Sequence, residues 1–279
     1  MSSFIFLGGD LRMLYAAEYL NKTHDCFAYG FETRDEFPVP ATGELIPCDC
    51  AVLPLPATTD GVHITMPYHC ENPDLDIVLK AVKPSGTVFT GKSSPYLERI
   101  CEENGLTLHN YFDREELQLL NAVPTAEGAL EIMLKELPVT VFGVNTLITG
   151  FGRIGEVMAR MLIALGAKVT VYARKSEQRA KAECLGCGAV SEKELEQDLN
   201  EFDVVINTVP AAIFDRKRLM MLKRDCLVID LASKAGVEDI ELAASVGVKV
   251  IWALSLPGRT APVTAGRIIG KTIENILIE

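Results

Sequence analysis

Six consecutive residues carry the plainest chemistry in the chain: Gly150-Phe151-Gly152-Arg153-Ile154-Gly155. They follow the apolar run Thr146-Leu147-Ile148-Thr149 and open a segment with helical periodicity. In that setting the spacing G-x-G-x-x-G has a physical meaning. The first glycine permits a tight turn, the second lets a diphosphate reach the backbone, and the third lets helix and strand pack closely. The amides that open the helix then face an anion. A glycine-rich turn without a ligand is the alternative, and the strand-then-helix context argues against it. The pattern predicts a dinucleotide held by Gly150, Gly152, Arg153, Ile154 and Gly155.

The strand after that helix ends in Ala173-Arg174-Lys175-Ser176. A carboxylate there would accept a bond from a ribose 2'-hydroxyl and repel a 2'-phosphate, whereas two cations suit the phosphate. NADP is therefore the expected cofactor, with NAD the alternative if Arg174 and Lys175 are only solvated charges. Asn207-Thr208-Val209-Pro210 and the pair Leu231-Ala232 close two later strands, where the nicotinamide half is expected.

The elements that must position these residues alternate from the start. Phe4-Ile5-Phe6-Leu7, Cys26-Phe27-Ala28-Tyr29, Cys50-Ala51-Val52-Leu53 and Thr87-Val88-Phe89-Thr90 read as strands, and residues 11–21, 78–82 and 95–104 as helices. Residues 106–108 read as one more strand. After Pro138 a second strand-helix series begins, with strands at residues 145–149, 168–172, 204–207, 227–230 and 249–252. The predicted fold is α/β: two Rossmann-like domains with parallel sheets, residues 1–138 (flavodoxin-like, for substrate or partner) and residues 139–279 (NADP-binding). Apolar residues recur at helical spacing through Ile268, Ile269, Ile273, Ile276 and Leu277, so a C-terminal helix is expected to pack back on the first domain. That domain has only Gly8-Gly9 before Asp10, without a third glycine, and is expected to bind no dinucleotide.

Composition narrows the partners. The net charge of -11 argues against nucleic acid and anionic membrane surfaces. No apolar run reaches the roughly 18–20 residues of a membrane-spanning helix. Eight cysteines at irregular spacing, in a chain that opens without a signal peptide, point to reduced thiols in the cytoplasm. Cys48-Asp49-Cys50 with His69 or Cys70 matches no common zinc spacing, and no metal is expected. Cys184-Leu185-Gly186-Cys187 has redox spacing but sits at a helix end with nothing thioredoxin-like around it.

Several segments together resemble the A subunit of dipicolinate synthase: Leu7-Gly8-Gly9-Asp10-Leu11-Arg12, Ser94-Pro95-Tyr96-Leu97-Glu98, Asn121-Ala122-Val123-Pro124-Thr125-Ala126-Glu127-Gly128, Asp230-Leu231-Ala232-Ser233, and the run from Leu256-Pro257-Gly258-Arg259 to Ala265-Gly266. The last is the most specific. The resemblance implies oxidation of dihydrodipicolinate, or its hydrated precursor, to dipicolinate during sporulation, with the flavoprotein-like B subunit of dipicolinate synthase as partner. It also implies a cytoplasmic location in the mother cell. An isologous dimer is compatible with the layout.

A dicarboxylate substrate needs cations, and the cleft between the domains is expected to supply them. Arg259, just after the last strand, is the first candidate and Arg12 the second; Ser233, Ser94 and Thr125 are expected on the substrate side. Lys234 could hold a carboxylate or move a proton, or be a rim charge. Glu127 could be the general base, or a helix N-terminal charge favoured by the dipole of a helix capped by Thr125. Two rivals stand beside this reading. A D-2-hydroxy acid dehydrogenase shares the glycine turn but needs a late acid-base histidine, and this chain has none beyond His109. A non-catalytic NAD(P)-binding sensor would need no substrate half.

Overall fold

The computed structural model describes residues 1–31 and 38–279. They form two compact units, one made of Met1–Asn121 with Ala261–Glu279, the other of Ala122–Thr260. The first contains β1 (Ser3–Leu7), α1 (Leu11–Leu20), β2 (Asp25–Tyr29), β3 (Ala41–Thr42), β4 (Cys48–Val52), α2 (Leu75–Leu79), β5 (Val82–Thr90), α3 (Pro95–Glu103) and β6 (Thr107–Asn110). Helix α4 (Glu115–Glu136) begins in the first unit and ends in the second. The second continues with β7 (Asn145–Thr149), α5 (Arg153–Ala164), β8 (Lys168–Tyr172), α6 (Ser176–Cys184), β9 (Gly188–Val190), β10 (Val204–Asn207), α7 (Arg216–Met221), β11 (Leu227–Asp230), α8 (Ile240–Ser245), β12 (Lys249–Trp252) and α9 (Leu256–Thr260). Helix α10 (Pro262–Ile278) belongs to the first unit again.

Each unit holds a parallel six-stranded sheet, ordered β3-β2-β1-β4-β5-β6 and β12-β11-β10-β7-β8-β9. Both are doubly wound, with the order reversing at β1/β4 and at β7/β10. The first sheet is thus of dinucleotide-binding order rather than the flavodoxin-like order expected, because the two-residue strand β3 adds an edge too short to show in the sequence. Strands buried on both faces need continuous apolar runs. Phe4 and Phe6 enter one core cluster and Ile5 and Leu7 the other. In the second unit Ile148 faces one core and Leu147 the other.

Three local readings change. The sequence places the division between units at Pro138 and a new helix after Pro124. Instead α4 runs unbroken through Pro124, and the units divide at Asn121 and Ala122. Proline removes one helical N–H, yet burial of Ala126, Ala129 and Met133 in the second core carries the helix through. Thr125 is therefore a helix-interior residue and not a cap. Residues 257–260, expected as a loop, form α9, whose Leu256 joins the same core.

The C-terminal helix docks on α1 as expected. A Cβ on Gly266 would lie 2.4 Å from the Arg12 carbonyl oxygen, and one on Gly270 would lie 3.0 Å from that of Ala16. Ile269 and Ile273 fill the adjoining core. The first unit's own glycine turn is covered by its own chain: Gly9 N–H donates to the Thr65 carbonyl at 2.8 Å, and Met66 stands against Gly8.

Candidate active site

The three glycines of the turn between β7 and α5 meet three different demands. Gly150 has φ +88, a left-handed backbone, and a Cβ there would lie 2.6 Å from Thr208 Oγ1. Gly155 lies so close to the strand end that a Cβ would fall 2.3 Å from the Gly150 carbonyl oxygen. Around Gly152, by contrast, there is nothing within 4 Å of a built Cβ. Gly152 is the N-cap of α5 and brings no side chain to the first-turn amides. Crowding at the first and third glycines and open space at the second is the pattern a diphosphate requires. The turn therefore fits a nicotinamide dinucleotide.

A cleft of about 220 Å³ opens over this turn. Its lining includes the turn itself, Tyr172, Ala173 and Arg174 from the end of β8, Gln178 from α6, and Thr208, Val209, Pro210 and Ile213 after β10. Of the expected cofactor residues, Gly150, Gly152, Ala173, Arg174, Thr208, Val209 and Pro210 line it. Arg153 is exposed outside the lining, and Ile154 packs on the core. Lys175 does not line the cleft; its ammonium lies 3.7 Å from Glu177 and its side chain is 72% exposed. Tyr172, Gln178 and Ile213 escape the sequence reading, since an aromatic strand end, a polar residue within α6 and an apolar residue ahead of α7 carry no spacing signal. Arg179 also escapes it, and braces the turn by donating to the carbonyls of Ala173 at 2.8 Å and Arg174 at 2.9 Å.

Asn207, expected at the cofactor, is fully buried beneath it. Its Oδ1 accepts from Thr149 Oγ1 at 2.5 Å and from Val209 N–H at 3.1 Å, while its Nδ2 donates to Asp230 Oδ1 at 2.7 Å. Asp230 also accepts from Ala232 N–H at 3.2 Å and Gly236 N–H at 2.6 Å. This buried ladder joins the carboxyl ends of β7, β10 and β11, so Asn207 shapes the cleft without entering it. Leu231 and Ala232 are likewise buried.

The expected substrate residues scatter. Ser233 and Lys234 are exposed just after β11. Arg259 lies outside the glycine cleft, in a hollow of about 320 Å³ formed by α4, β12 and α9, with Gly128, Glu131, Trp252 and Thr260. The Trp252 indole N–H, at the end of β12, donates to the Ala232 carbonyl at 2.9 Å and so ties this hollow to the end of β11. Glu127 is exposed on α4 and does not line the hollow; Glu131, one turn on, does. Thr125 is buried within α4. Arg12 is buried and committed: its Nε and Nη2 grip Asp10 at 2.9 and 2.8 Å, and Nη2 also donates to the Leu55 carbonyl at 3.2 Å. Ser94 caps α3 by accepting from Leu97 N–H at 3.2 Å. Cys48 and Cys50 enter opposite cores, because β4 shifts register between them. Burial pushes the Cys50 thiol up to about 12.

Residues 3–112 match the N-terminal domain of the dipicolinate synthase A subunit, and residues 127–254 match the D-isomer specific 2-hydroxyacid dehydrogenase, NAD binding domain. The dipicolinate synthase A subunit of Bacillus subtilis (strain 168) is 31% identical over 98% of this chain and 95% of its own length. The chain belongs to the family of dipicolinate synthase A subunits. The crystal structure of the dipicolinate synthase A subunit from Bacillus halodurans superposes with a TM-score of 0.89 at 30% identity, over 99% of this chain and 98% of that one. The corresponding Bacillus subtilis structure gives a TM-score of 0.86 at 30% identity, over 99% and 95%. Family membership and the glycine cleft together make this protein a nicotinamide-dependent oxidoreductase. Among the described residues no helix is long and apolar enough to cross a membrane.

Proposed function

We propose that this chain oxidises dihydrodipicolinate, or its hydrated precursor, to dipicolinate, with NADP as the hydride acceptor. The likeness to the dipicolinate synthase A subunit over 98% of the chain carries this reading. Its second half also matches a 2-hydroxyacid dehydrogenase nucleotide domain over residues 127–254, but no histidine follows His109 to serve as that chemistry's acid-base group.

The order of strands supports the placing of roles. Arg174 after β8 would hold a 2'-phosphate on adenosine, the turn after β7 would hold the diphosphate, and the residues after β10 and β11 would serve the nicotinamide half. When bound, the nicotinamide accepts the hydride that leaves the substrate ring. One strand farther on, at β12, Arg259 holds a ring carboxylate through charge-assisted bonds. Lys234 after β11 takes the other carboxylate or a proton, and Glu127 accepts the proton lost as the ring becomes aromatic. Ser233 assists on the substrate side. The partner is the flavoprotein-like second subunit of the synthase, and the setting is the cytoplasm of the mother cell, with the chain as a homodimer.

The test is absorbance at the reduced-nicotinamide band when the purified chain, its second subunit, dihydrodipicolinate and NADP are mixed. Arg259→Ala should lower kcat/KM about 10- to 100-fold while leaving NADP affinity unchanged. Wild-type turnover with neither NADP nor NAD would overturn the reading; unchanged kinetics in the variant would remove Arg259 from the site.

A further inference from the structure

Behind the wall of the nucleotide cleft, Arg218 of α7 ties together two of the residues that form it. Its Nη1 donates to the Ile213 carbonyl at 3.0 Å, its Nε to Glu196 at 3.3 Å, and its Nη2 to Glu192. Glu192 in turn accepts a hydrogen bond from the Tyr172 hydroxyl. Tyr172 and Ile213 both line the cleft, as does Arg174. The Arg218 side chain is only 14% exposed, whereas that of Glu192 is 55% exposed. The Glu192 carboxyl is held below its usual range, first by the Tyr172 hydroxyl and then by Arg218, with the charge of Arg174 adding to both.

Charge matching gives this arrangement a consequence. Glu192 and Glu196 are matched by Arg218 and by Lys217, which also bonds Glu196. Among the described residues that line the cleft, Arg174 is the surplus cation. Were Arg218 absent, Glu192 would be an unmatched anion within electrostatic reach of Arg174. It would draw that guanidinium away and repel a phosphate on the adenosine ribose. A ribose with a plain 2'-hydroxyl carries no charge there and would be indifferent.

We propose that Arg218 is a positioning residue for cofactor selection: by neutralising Glu192 it keeps Arg174 available to a 2'-phosphate. This rests on the NADP reading above. The experiment titrates the whole chain with NADP and with NAD at low ionic strength, comparing wild type, Arg218→Met and the double variant Arg218→Met with Glu192→Gln. Arg218→Met should weaken NADP about tenfold and NAD less than about twofold, since only the phosphate feels the uncovered charge. The double variant should restore the wild-type ratio, and added salt should narrow the gap. A ratio of affinities is insensitive to a fraction of misfolded protein, so a damaged fold would not imitate this result. Wild type that prefers NADP while Arg218→Met keeps the same ratio, or a double variant that fails to restore it, overturns the inference alone. Wild type that binds NAD as tightly as NADP overturns both the inference and the cofactor reading.

Discussion

At the scale of single residues, the glycine turn separates what the fold needs from what the ligand needs. Gly155→Ala forces a methyl to within 2.3 Å of the Gly150 carbonyl, so it should cost about 1–3 kcal/mol of stability and take nucleotide binding with it. Gly152→Ala meets open space and should melt like the wild type, while nucleotide affinity falls, as a thermal melt paired with a titration will show. That Gly150, Gly152 and Arg174 share one cleft is legible in the sequence because their spacing follows strand ends. The places of Lys175 and Arg12 outside that lining are not, and each lies beside a carboxylate two residues away, Glu177 and Asp10. Asn207 reads as a ligand because it ends a strand at the switch point. Its four hydrogen-bonding directions are spent on Thr149, Val209 and Asp230, and only packing, not spacing, reveals that.

At the scale of elements, strands buried on both faces are plain from their apolar runs, while β3 and β9, of two and three residues, leave no such signature. Ahead of Pro138 the helix ends as proline dictates, at Glu136, though the units divide earlier, at Asn121 and Ala122; the larger misreading treats Pro124 as punctuation. Local breaking signals lose to burial of the α4 face. Docking of α10 rests on the missing side chain at Gly266; Gly266→Val should lift the helix from α1 and speed amide exchange along residues 262–278. A second element-scale test concerns the segment after β4. There His63 bonds Asp60 at 2.6 Å and Asp74 at 3.1 Å. The Asp60 hydrogen bond raises the imidazole above its ordinary 6.5, while the Val62 N–H, then the His63 ring and N–H, depress Asp60. A raised histidine contributes fully below the unfolded value and loses its contribution as pH rises through the folded one. Amide exchange in residues 58–74 should therefore quicken as pH climbs through that raised value, beyond its intrinsic pH dependence, and His63→Gln should abolish the extra step.

At the scale of the whole molecule, each unit carries a sheet of the same winding order; among the described residues the first unit packs Thr65 and Met66 on its switch-point turn, while a Cβ on Gly152 in the second would meet open space. Ligand linkage should show this asymmetry. The chain has a single tryptophan, Trp252, and it lies in the second unit. At a hundred times its dissociation constant, NADP should add about 2.7 kcal/mol to the unfolding transition that tryptophan fluorescence reports; a transition that does not move would mean the nucleotide binds elsewhere or not at all. Because the first unit is completed by α10, its residues are separated along the chain by the entire second unit. A ribosome thus delivers a finished nucleotide-binding unit while its predecessor still lacks the helix that covers α1. Until that last segment emerges, the nascent polypeptide must shelter Ala16, Leu20 and their neighbours by some means other than the native lid.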